Sequence, residues 1–186
     1  MVPVHALWLP ILLSAIIVFV TSSIIHMVLP VHRSDYRKLP DEEKILESLR
    51  SAGATPGPVY AFPFTTHEGM KAPEIVEKFK RGPVGLLTIR PSGAPNMGSF
   101  LGQWFIYCIV VSIFAAYLTG RTRLPGTPYL EVFRVAGTVA FAGYALALVQ
   151  NAIWRGETWR ITLKHVFDGL IYALLTAGTF GWLWPR

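Results

Sequence analysis

Four stretches of this chain are long and apolar enough to cross a bilayer, and they leave little freedom in the fold: Ala6 to Leu29, Phe100 to Thr119, Val132 to Trp154 and Lys164 to Trp184. About 20 predominantly apolar residues in a helix cover the hydrocarbon core. Lipid offers no partner to backbone N–H and C=O groups, so runs of this kind must be helical. The chain of 186 residues is 52% hydrophobic with mean hydropathy +0.43, too apolar for an ordinary soluble domain. Its N-terminus, MVPVHALWLPILLSAIIVFV, lacks the basic start of a signal peptide and reads as an uncleaved first span.

The last run is the least uniform. At 100° per residue, His165, Asp168, Tyr172, Thr176 and Thr179 fall on one polar stripe. Gly169, Ala173, Ala177 and Gly181 form an adjoining stripe of small residues, which lets a neighbouring helix approach closely. The second and third runs carry similar stripes, Cys108, Ser112, Ala115 and Thr119 in one and Ala136, Ala140, Gly143 and Ala147 in the other. Such abundant packing surface leads us to expect a homo-oligomer or a membrane-protein partner beside the lipid bilayer itself.

Between the first two runs lies the only sizeable extramembrane segment. LPDEEKILESLRSAG has acids in its first turn, Ile45, Leu46 and Leu49 on one side and Gly53 as a stop, the marks of a short helix. Val59 to Phe62 reads as a strand ended by Pro63; Pro73 opens a helix, PEIVEKFKR, closed by Gly82; Val84 to Ile89 reads as a second strand. The expected fold class is thus an all-α membrane protein of four transmembrane helices with a small αβαβ insert between helices 1 and 2. Residues 1–30 hold helix 1, residues 31–98 the insert and residues 99–186 helices 2–4.

Charge sets the orientation. Ten Lys and Arg residues lie in residues 31–98 and three in residues 155–164, against Arg121, Arg123, Arg134 and Arg186 elsewhere. By the positive-inside rule the insert is expected in the cytoplasm with both termini outside. The net charge of +6 is interleaved with acids or flanks the apolar runs, so no nucleic-acid partner is expected.

Polar groups cluster at one end of the antiparallel runs: His26, Gln103, Gln150, Asn151, His165 and Asp168 all fall at the insert side. An ionisable group at such depth is costly unless paired or hydrated. His165, Asp168, Tyr172, Thr176, Thr179, His26, Gln150 and Asn151 are therefore the candidates for a polar intramembrane site that binds or passes protons or a small cation. His26, His32 and His165 are candidate metal ligands, with Met27 and Met97 as possible additions, and haem or copper is the alternative cofactor reading. The spacing HMVLPVH matches no strong metal motif, and Pro30 separates its two histidines. A single cysteine, Cys108, excludes an intrachain disulfide and a multi-cysteine metal site. No phosphate loop, HExxH or GxSxG motif is present, so an enzyme is not the expectation. The third functional alternative is a structural or assembly subunit that docks a partner through the insert.

The run HMVLPVHRSDYRKLPDEE, with the ending FDGLIYALLTAGTFGWLWP, resembles small bacterial inner-membrane proteins of an uncharacterised family. The resemblance covers most of the chain and implies a multi-pass protein of the bacterial inner membrane. It implies no activity, cofactor or site.

Overall fold

All four apolar runs become helical, but their lengths and apolarity differ. The computed structural model describes residues 1–186. Three helical stretches are long and apolar enough to cross a membrane: Val4–Val28, Met97–Thr122 and Tyr129–Arg155. The first comprises a 3-10 turn, helix α1 (Trp8–Ser23) and a π-helical turn, Ile24–Val28. The second is helix α4 (Met97–Thr122), begun by the Asn96 side chain, which accepts a hydrogen bond from the Ser99 N–H. The fourth helix, α7 (Trp159–Trp182), is as long as these. Lys164, His165 and Asp168 reduce the apolarity of its first half, and it is not one of the three.

The run expected as one helix over Val132–Trp154 is two. Helix α5 (Tyr129–Tyr144) stops, a 3-10 turn covers Leu146–Leu148, and helix α6 (Val149–Arg155) follows. The break lies where Gly169 of α7 passes close. A Cβ placed on Gly169 meets the Tyr144 carbonyl oxygen at 2.9 Å and the Ala145 Cβ at 2.7 Å, so only glycine admits this approach. Ala147, the last member of the expected α5 stripe, consequently lies exposed in the turn.

The chain divides into two compact units. Met1–Tyr36, Asn96–Ala152 and Glu157–Arg186 form one; Arg37–Pro95 and Ile153–Gly156 form the other. In the first, α1 packs on α4 and α7, and α5 packs on α4 and α7, which closes a four-membered ring. The small-residue stripe of α7 runs along α5: Gly137 faces Ala177 and Gly181 faces Tyr129. The α4 stripe, Cys108, Ser112, Ala115 and Thr119, is wholly buried, and the Ser14 hydroxyl donates to Ser112 Oγ at 3.0 Å across the α1–α4 contact. Two tryptophans near the run ends pack inward: Trp104 donates to Ser22 Oγ and Trp184 to the Leu124 carbonyl.

The second unit holds helix α2 (Glu42–Ser51), strand β1 (Val59–Phe62), helix α3 (Pro73–Arg81) and strand β2 (Gly85–Thr88). The strands pair antiparallel, Val59 opposite Thr88 and Phe62 opposite Gly85. Neither helix fully buries a residue, as expected of so short a segment. Residues 31–36, expected with this insert, belong instead to the helical unit.

Candidate metal centre

The insert-side end of the helical unit gathers three histidines and an aspartate from two segments far apart in sequence. His26 sits on the π-helical turn that ends α1. Leu29, just before Pro30, is extended, because the proline ring crowds an α-conformation there. Pro30 then opens a 3-10 turn whose last residue is His32. The chain folds back over itself, and the two imidazoles meet with ring centroids 4.4 Å apart. The proline that separates the two histidines in sequence is thus what joins them in space. From the second and third turns of α7 come His165 and Asp168, at i and i+3 on one face.

One donor atom from each of His26, His32, His165 and Asp168 lies within 4.8 Å of the others. Asp168 Oδ2 is 2.9 Å from His32 Nε2, 3.9 Å from His26 Nε2 and 3.9 Å from His165 Nδ1. In a tetrahedral site with bonds of about 2.0–2.1 Å, donors stand about 3.3 Å apart and imidazole centroids about 5 Å apart. The observed centroid separations of 4.4, 5.0 and 6.0 Å bracket that value. His26 and His165 are both partly exposed.

His32 Nδ1 stands 2.7 Å from Asp35 Oδ2 and its Nε2 stands 2.9 Å from Asp168 Oδ2, so the ring lies between two carboxylates. Lys164 donates to the other Asp35 oxygen, Oδ1, and to the Val31 carbonyl. The lysine hydrogen bond, helped by the one from His32 and opposed by burial, holds the Asp35 carboxyl below the usual carboxylate range. His32 Nε2 and Asp168 Oδ2 are both buried and make no hydrogen bond. A buried ring nitrogen and a buried carboxylate oxygen at this separation call for a proton or a cation between them. A carboxylate behind a histidine whose far nitrogen faces the site is the usual outer support of a metal-binding imidazole.

Other expected site residues lie apart from this cluster. Thr176 and Thr179 are buried further along α7, and their hydroxyls donate to the Tyr172 and Leu175 carbonyls. Tyr172 is also buried, and its hydroxyl has no partner. Gln150 is exposed, whereas Asn151 lines a cavity of about 510 Å³ together with His26, His165, Asp168 and Tyr172. Met27 and Met97 line a second cavity of about 460 Å³ that also touches His26 and His165. Sequence reasoning passed over Asp35 and Lys164. The available signal was HRSD, a histidine and an acid three apart just after a proline turn.

Comparison with known protein families, curated proteins and solved structures finds no match to this chain. The functional reading therefore rests on the site's own geometry.

Proposed function

We propose that this chain is a multi-pass membrane protein that binds a divalent transition metal at His26, His32, His165 and Asp168. Three imidazole nitrogens and one carboxylate oxygen form a borderline donor set that suits zinc first, with copper and iron as competitors. The observation that carries the reading is the convergence of one donor atom from each of these four residues within 4.8 Å, with His32 Nε2 and Asp168 Oδ2 buried, 2.9 Å apart and without a hydrogen bond. With α7 included the bundle has four spans, which returns the C-terminus to the side of the N-terminus. The metal then lies toward the cytoplasmic face of a bacterial inner membrane, at the depth of the second and third turns of α7.

Metal analysis of the full chain, purified in uncharged detergent from zinc-supplemented cells, tests this. The wild type is expected to retain an equimolar amount of metal, and His32→Ala and Asp168→Asn to lose most of it while eluting normally on size exclusion. Failure of the wild type to hold zinc, copper, iron, cobalt or manganese sinks the proposal.

A further inference from the structure

The histidine cluster has a closed half and an open half. His32 and Asp168 keep only 8% and 6% of their side-chain exposure, and Asp35 with Lys164 braces His32 from behind. His26 and His165 keep 39% and 35%. Two cavities border this open half. One, of about 510 Å³, is lined by His26, His165 and Asp168 and also by Asn151 and Glu157. The rest of its wall is mostly aromatic, with Trp104 stacked on Tyr107 and set edge-on to Tyr172. The other, of about 460 Å³, reaches His26 and His165 past Met27, Met97 and Leu101, and no acid lines it.

Glu157 is the acid that the metal-binding set leaves unused. Its N–H donates to the Asn151 carbonyl at 3.2 Å, which closes the link ahead of α7 and sets the residue at the cavity. Its half-buried carboxylate has no ion-pair partner. Lys164, next to His165 in sequence, is taken up by Asp35, and no lysine or arginine lines the cavity. Asp168 and Glu157 therefore place two carboxylates between aromatic walls. A cleft lined by one sign of charge within low-dielectric walls concentrates counter-ions and speeds their entry about 10- to 1,000-fold. There is room for a hydrated divalent cation, whose six waters take up about 180 Å³ at about 30 Å³ each.

Resting on the metal reading above, we infer that the divalent cation enters and leaves through the acid-lined cavity, and that Glu157 is the first carboxylate it meets on the way to the four ligands. The second cavity reaches the same two histidines but not Asp168, and it offers no anionic oxygen to replace the hydration shell. Glu157 acts in transit and not in the final coordination, so its effect falls on rates.

The test follows cobalt(II), whose absorption bands report its coordination, as it binds the full chain in uncharged detergent. At low salt Glu157→Gln is expected to slow association about tenfold with the bands of the bound ion unchanged, and to flatten the fall of the rate with added salt. Glu157→Asp is expected to restore most of the rate. Ala147→Phe, which adds bulk to the cavity from the exposed turn, is expected to slow association and release into a chelator alike, whereas Leu101→Trp in the other cavity changes neither. Association of Glu157→Gln at the wild-type rate overturns the inference and leaves the metal reading standing, as does slowing by Leu101→Trp with Ala147→Phe unaffected. Altered bands in Glu157→Gln make this residue a ligand and also overturn it. A wild type that shows no cobalt bands overturns both readings.

Discussion

At the scale of single residues, Asp35 governs whether His32 can serve as a ligand. Its hydrogen bond with Nδ1 fixes the ring orientation, and Lys164 in turn holds Asp35. Removing such an outer partner weakens metal binding about 10- to 100-fold. Asp35→Asn is expected to show that loss in zinc competition against a chromogenic chelator, with the bundle still folded. Lys164→Met is expected to have a similar effect, because it frees the residue 31–35 turn from α7 as well as unpairing Asp35. Wild-type affinity in both variants would reduce the pair to a loop tether with no part in binding.

At the scale of elements, glycine positions set the helix spacing. Gly169 lies against the backbone at the α5 break, and a Cβ on Gly143 stands 3.1 Å from both methyl groups of Val111 on α4. Overpacking of this kind costs about 1–3 kcal/mol, so Gly143→Leu is expected to lower the melting temperature in detergent. Gly169→Val is expected to lower it further, since backbone and not a rotatable side chain stands in the way. Gly102, exposed on α4 with no atom near its would-be Cβ, is the internal control. Gly102→Ala is expected to be neutral or to stabilise by up to about 1 kcal/mol through helix propensity. A Gly143→Leu protein that melts like the wild type would remove the close α4–α5 contact.

At the scale of the whole molecule, α7 decides the topology. It packs against α1 and α5 and buries Thr162, Asp168, Thr176 and Thr179 in the ring, so its polar residues face protein. A helix is admitted to a bilayer on such terms when its neighbours cover the polar stripe. If α7 crosses, the C-terminus returns to the side of the N-terminus. A reporter that works only in the periplasm, fused after Arg186, is expected to be active, and activity of a cytoplasm-only reporter at the same position would leave three spans.

The sequence by itself determined the local elements, because each is written in short-range chemistry. The short helices and strands of the insert region follow from acids at helix starts, prolines at helix and strand ends, and Gly53 and Gly82 as stops. The α4 and α7 stripes follow from helical spacing alone. His26, His32 and His165 also stood out together as candidate ligands, and Asp168 as an ionisable group at the same end of the apolar runs. That they meet was decided only by the tertiary structure, through a proline turn that reverses the chain after α1 and the packing of α7 on α1. The α5 break was equally invisible. It lies where Gly169 of another helix passes close, and periodicity within Val132–Trp154 carries no trace of a contact made by a residue outside it.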